Sequence, residues 1–281
     1  MKISEFKIDK QHEGVRLESY LTEKGISKRL ITKLKRIENG LLRNGEHIRT
    51  IDILHSGDVI QLHTEEKQNS LAPNSSLNIP IIYEDENLVV FNKPTGTPVH
   101  PSILHYDDTL GNYFSFLYPK LIFRPINRLD RDTSGLCIVA KNQLYASHLQ
   151  KHIQKTYFAV ACGRITGCGR IDAPIARVDN SIILRKVSPE GQRAVTNYSV
   201  IKYNEKYTLL KINLETGRTH QIRVHFAHIG HPLAGDEMYG GNCEDLQLQA
   251  LHCGELMVTL IDGAKMEFKA DIREDMKKLI D

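Results

Sequence analysis

A chain of 281 residues with 41% hydrophobic and 25% charged side chains is composed like a globular protein of about two domains, which excludes a disordered or fibrous chain. No apolar run approaches the roughly 18 residues needed to span a bilayer, and Met1 to Lys7 lacks the apolar stretch of a secretory signal. The net charge of +3 is local, because residues 1–63 hold 12 Lys and Arg against 9 Asp and Glu, while the remainder balances at 25 of each. Cysteines 137, 162, 168, 243 and 253 form no C-x-x-C pair that would suggest a disulfide framework or a zinc ribbon, so a cytoplasmic protein without membrane association is expected.

In chain order, Leu17, Tyr20 and Leu21 have helical spacing, and Gly25 closes that segment. Ser27 is the expected N-cap of a second helix running to Gly40, with Leu30, Ile31, Leu34 and Ile37 as its apolar stripe. Arg29, Lys33 and Arg36 share another face of that helix, so their cations project together. Between Lys28 and Arg43 there are six basic residues and one acidic one, which fits either a solvated face or a polyanionic partner. Leu41 to Arg43 then enters an Asn44-Gly45 hairpin turn, and Asp58 to His63 reads as a strand.

The order R16-L-x-x-Y-L, S27-K-R, I37-E-N-G, R43-N-G and G57-D-V-I resembles the S-four-type RNA-binding module. The resemblance implies a small α/β domain over residues 1–63, with Lys28, Arg29, Lys33 and Arg36 on RNA phosphates. Such contacts supply affinity without sequence choice.

Residues 64–78 are polar and read as a linker before a domain over 79–281. Short β-rich runs follow at Pro80 to Tyr83, Leu88 to Phe91, Leu136 to Ala140, Tyr157 to Ala161, Thr196 to Tyr203, Tyr207 to Leu214 and Met266 to Ala270. Connections too short for crossover helices predict an α+β domain with a mainly antiparallel sheet. Helices are expected over Asn142 to Ile153, Thr219 to Ile229 and the last turns before Asp281.

Two stretches carry chemistry. In Asn127 to Gly135, short polar residues and a glycine predict a tight turn, and Asp130 stands between Arg128 and Arg131, cations that would keep it ionised. A positioned carboxylate of this kind serves as nucleophile or base. Asp130-x-Asp132 is not a phosphoryl-transfer pair, since the apolar strand follows it rather than precedes it. Leu214 to His225 passes from strand through a Gly turn into a helix whose N-terminal amides suit an anion. His220, His225, His228 and His231 lack the spacing and acidic ligands of a metal site, and Arg218 and Arg223 would repel a cation.

The strings R128-L-D-R-D-T-S-G-L, K155-T-Y, T216-G-R-T-H-Q-I-R-V-H, G230-H-P-L-A-G-D and L248-Q-A-L-H, with N92-K-P and V99-H-P-S, resemble the large-subunit ribosomal RNA pseudouridine synthase family. The resemblance covers residues 79–281 in the family's order. It implies the pseudouridine synthase fold and an isomerase that needs no cofactor and no metal. It further implies Asp130 as the essential carboxylate, Arg223 as the cation paired with it, and Tyr157 stacked on the target base. Leu251 would form the pocket wall, and Arg128 would enter the gap left by a flipped uridine. Arg218 is expected on RNA. Whether Asp130 attacks the sugar, attacks the ring or assists a glycal route stays open. Ribosomal RNA is the expected partner, with transfer RNA as the alternative, and a monomer the default state. Two positions depart from the family pattern: Asn127 stands where a His is usual, and Cys253 where an Ala is.

Overall fold

The computed structural model describes residues 2–64 and 70–281. The first four strands are β1 (Lys2–Lys7), β2 (Leu41–Arg43), β3 (Glu46–His47) and β4 (Val59–Thr64), which form an antiparallel sheet in the order β1-β4-β2-β3. Helices α1 (Leu17–Glu23) and α2 (Lys28–Leu34) cover it, and their buried Leu17, Leu21, Leu30 and Leu34 share one core with Ile60 and Leu62. Asn44 and Gly45 both have positive φ, the pairing that matches hairpin twist, and so β2 turns directly into β3.

Ser27 caps α2 by accepting from the Leu30 amide at 3.2 Å. The helix is shorter than its pattern predicts, ending at Leu34 rather than Gly40. Gly40 folds back against the end of α2, where any Cβ would collide with the Leu34 carbonyl. Ile37 therefore packs from a turn, and Arg36 lies beyond the helix.

The expected linker is partly structured. Thr64 is a buried end of β4, and residues 65–69 lie outside the described residues. Leu71 and Leu77 pack on the second core, while Asn112 Nδ2 donates to the Ala72 carbonyl at 2.8 Å. Two leucines in a polar stretch are enough to fasten it.

The larger sheet contains β5 (Ile81–Glu84), β6 (Leu88–Lys93), β7 (Ser134–Ala140), β8 (Ile153–Cys162) and β9 (Cys168–Asp172). A separate hairpin, β10 (Ile175–Arg177) and β11 (Arg185–Val187), precedes β12 (Val195–Tyr203), β13 (Tyr207–Leu214), β14 (Leu251–Thr259) and β15 (Lys265–Lys269). Its strand order is β5-β6-β7-β14-β8-β13-β12-β9, with β15 on β14, and β7 with β14 is its parallel pair. The remaining helices are α3 (Leu110–Leu117), α4 (Gln143–Leu149), α5 (Gln221–His228) and α6 (Glu274–Lys278). The α+β, mainly antiparallel expectation holds. Helix α4 stops at Leu149, residues 150–152 turn, and β8 begins at Ile153, where the helix was expected to end.

All seven residues of β7 are buried, and β7, β14, β8 and β13 form the middle of the sheet. Gly135, at φ 110°, allows β7 and β14 to approach, since a Cβ there would strike the Cys253 backbone. Helix α4 joins the two cores: Leu144 packs in the first, Ser147 Oγ accepts from the Ser27 amide at 2.7 Å, and His148 Nδ1 donates to the Lys24 carbonyl at 2.7 Å.

Candidate active site

The turn predicted around Asp130 forms, with the Thr133 amide donating to the Asp130 carbonyl at 3.1 Å. It is anchored on three sides. Lys93, fully buried, donates through Nζ to the carbonyls of Pro94, Thr97 and Arg131 at 2.8, 2.8 and 2.9 Å. Gln249 Nε2 donates to Thr133 Oγ1 at 2.6 Å. Asn127 holds the start of the turn to β7, donating to the Leu136 carbonyl and accepting from the Ile138 amide, both at 2.9 Å. Burial lowers the Lys93 ammonium to about 8.

Asp130 opens into a cleft whose walls include Arg128, Tyr157, Arg218, His220, Arg223 and Leu251. They come from four segments of the chain: the turn before β7, β8, the start of α5 with the residues before it, and β14. Tyr157 is buried on β8 and Leu251 begins β14, while Arg223 lies on α5, which follows β13. Burial raises the Tyr157 hydroxyl well above its ordinary value, reinforced by Cys253 and Asp130 nearby. The phenol therefore stays protonated.

The expectation that Arg128 and Arg131 flank Asp130 as its counter-ions is not met. Arg131 turns to Asp132, with Nε 2.9 Å from Oδ1, and Arg128 is exposed at the rim. The cation beside Asp130 is Arg223, whose Nη1 donates to Asp130 Oδ2 at 3.4 Å from 93 residues away. Arg223 is 6% exposed and is itself gripped by Asp236, with Nε to Oδ2 and Nη2 to Oδ1 both at 2.7 Å. Its burial works against the charge, but the Asp236 carboxylate outweighs this and raises its pKa. This fork geometry fixes the guanidinium plane. Asp236 was present in G230-H-P-L-A-G-D without an assigned role; its separation from Arg223 in sequence concealed the pair.

His220 lines the cleft, and Tyr239 supports it from outside the lining. His220 Nε2 is 3.7 Å from Asp130 Oδ2, and its Nδ1 is 2.8 Å from the Tyr239 hydroxyl. The Arg223 guanidinium lies over the Tyr239 ring, 4.9 Å from its centre. At the start of α5, Gln221 Oε1 accepts from the Arg218 amide, so part of the expected anion-binding set of amides is met internally. The histidines do not gather: His225 bonds Thr196 and Ala173, and His231 donates to the Cys162 carbonyl.

Arg218 is exposed, lines the cleft, and donates to the Arg193 carbonyl at 3.1 Å. Arg29, Lys33 and Arg36 line a second groove together with Arg124, from the segment leading to Asp130, and Gln143 of α4. Lys33 Nζ donates to Gln143 Oε1 at 2.9 Å. Lys28 is exposed and stands outside that lining.

This fold is that of a pseudouridine-forming enzyme, and the sequence profile for RNA pseudouridylate synthase matches residues 87–228. The chain belongs to the RNA pseudouridine synthase family and is an isomerase of that class. It is 40% identical over 278 residues to the uncharacterized RNA pseudouridine synthase YjbO of Bacillus subtilis, covering 94% of this chain and 98% of that one. It is 36% identical over 249 residues to ribosomal large subunit pseudouridine synthase D of Escherichia coli, covering 80% and 76%. Among solved structures, human RNA pseudouridylate synthase domain containing 1 superposes with a TM-score of 0.60 at 25% identity, covering 72% of this chain and 86% of that one.

Proposed function

We propose that this enzyme isomerises uridines of large-subunit ribosomal RNA, as a cytoplasmic monomer without cofactor or metal, using Asp130 as its essential carboxylate. The observation that carries the reading is Asp130 at the floor of the cleft, held beside Arg223 and facing Tyr157 and Leu251. The ribosomal assignment rests on relatives named for the large ribosomal subunit.

In the reaction the glycosidic bond from the ribose to ring N1 breaks, the uracil turns, and ring C5 bonds the same sugar carbon. The C5 proton leaves and N1 takes up a proton, so nothing is oxidised or reduced. Asp130 is the group placed to meet the sugar or the ring. Arg223 would hold that carboxylate's orientation, and a fixed charge acts strongly once a bound base excludes water from the cleft. Tyr157 and Leu251 would sandwich the uracil.

A paired uridine is unreachable, so it must leave the helix at a cost of about a few kcal/mol. Arg128, exposed at the rim, is placed to fill the gap. The groove of Arg29, Lys33, Arg36 and Arg124 adjoins the segment leading to Asp130, and its cations suit the phosphates of the flanking strand. Lys28 adds charge at the same helix.

Asp130→Asn is expected to abolish pseudouridine formation while leaving the melting temperature within a few degrees. Modification mapping of RNA from cells with and without the protein checks both the activity and the target class. Full activity in that variant would remove Asp130 from its role. A map unchanged by loss of the protein would favour an RNA-binding assembly factor instead. Asn127 in place of the usual His and the basic helix motivate that reading, and the Asn127 side chain is occupied in bonding β7.

A further inference from the structure

His220 has an unusual place for a buried side chain. Its backbone lies in the left-handed region at φ 56°, at the N-cap of α5, and its ring is among the walls of the Asp130 cleft. Such a φ costs a non-glycine residue free energy and persists only where the surroundings enforce it. The imidazole is held at Nδ1, which meets the Tyr239 hydroxyl at 2.8 Å, while Nε2 faces Asp130 Oδ2 at 3.7 Å, beyond hydrogen-bond reach.

The Tyr239 hydroxyl is the partner of Nδ1. Its oxygen already accepts from the Arg185 amide at 3.2 Å. Nδ1 of His220 lies 2.8 Å from that oxygen, within reach of the phenolic proton, and the phenol can donate to the imidazole there. The neutral ring then carries its proton on Nε2, directed at the carboxylate. Burial lowers the His220 pKa; Arg223 and Arg185 act in the same sense, and Asp130 and Asp236 oppose them. The ring is thus neutral near pH 7.

We propose that His220 is a positioning residue for the isomerisation, its Nε2–H and the Arg223 guanidinium together holding Asp130 Oδ2 so that Oδ1 is the oxygen offered to the nucleotide. The inference rests on the reading of Asp130 above. Among the described residues none bonds Oδ1, whereas Oδ2 has donors at 3.4 and 3.7 Å. Both distances exceed those of ordinary charge-assisted hydrogen bonds, about 2.7–2.9 Å. The carboxylate therefore has room to settle onto these two donors when a base fills the cleft.

The experiment pairs kinetics with nuclear magnetic resonance on the full chain. His220→Asn is the first variant, because Asn tolerates a left-handed backbone better than Ala does. With the melting temperature retained, kcat is expected to fall about 10- to 100-fold, the range of a misaimed catalytic group, with KM within about twofold. Tyr239→Phe keeps the histidine and is expected to lower kcat less, by about 3- to 10-fold, through loss of the tautomer lock. Nitrogen-15 spectra of the free enzyme are expected to show His220 protonated on Nε2 at pH 7.5, and a mixture of tautomers in Tyr239→Phe. An Nδ1-protonated ring in the wild type, or a folded His220→Asn enzyme with kcat within twofold of wild type, overturns the proposal. The spectra require no activity, so a failure of the RNA assignment and a failure of this one are read separately.

Discussion

The cleft and the basic helix are both rich in arginine, and they use it in opposite ways. In the cleft, Arg223 is almost wholly buried, forked onto Asp236 and shared with Asp130. On α2 and the turn after it, Arg29 and Arg36 are exposed to solvent. A buried charge held by short bonds acts at one atom and is hardly screened by salt, whereas exposed cations act on the summed charge of a polyanion and weaken as salt rises. The first arrangement suits chemistry and the second suits affinity. Charge count alone does not separate them.

The sharpest way to break this contrast is to remove the buried partner. Asp236→Asn leaves Arg223 without its fork, and truncating one side of a buried ion pair costs about 3–5 kcal/mol. A large drop in melting temperature is expected, together with a kcat loss of about 100-fold or more measured below the melting range. Wild-type stability and turnover would show that the fork is dispensable.

Lys93 gives an intermediate effect. Its ammonium matches three carbonyls with three N–H donors, one of them the Arg131 carbonyl next to Asp130. Its pKa is depressed, so it loses its proton as pH rises through about 8, well below an ordinary lysine. A neutral amine has only two N–H groups and releases one carbonyl. The expected outcome is a kcat that declines above about pH 8, read from pH–rate profiles. In Lys93→Met that alkaline limb should be absent and the activity low at every pH.

The smallest expected effect lies on the exposed side. Arg29→Ala with Arg36→Ala should leave kcat unchanged and raise KM, and each lost phosphate contact should reduce the salt slope of RNA binding by about one. A fall in kcat with an unaltered slope would mean that these cations serve the chemistry, erasing the contrast.

Local patterns were legible wherever neighbours in sequence are neighbours in space. The Asn44-Gly45 hairpin, the Ser27 cap and the Asp130 turn each depend on a few adjacent residues, and each forms. Helix α2 was read too long because its stripe continues to Ile37, while the stop is a tertiary event, the packing of Gly40 against Leu34. Residues 70–78 read as loose because their composition is polar, although Leu71 and Leu77 find the core. The two arginines beside Asp130 in the chain were natural counter-ions by proximity. A turn, however, sends neighbouring side chains in different directions, and Arg131 pairs with Asp132 instead.

The family and its reaction were legible from the order of short motifs, because each motif preserves a local geometry that the chain cannot lose without losing the fold around it. What only the folded chain decided is what surrounds the Asp130–Arg223 pair that the motifs implied: Asp236 forked onto Arg223, and His220 beside Asp130. Arg223, Asp236, His220 and Tyr239 converge on Asp130 because the central strands β7, β14, β8 and β13 bring segments together whose sequence separation reaches 93 residues between Asp130 and Arg223. Electrostatic pairing depends on distance and burial, and neither is written along the chain.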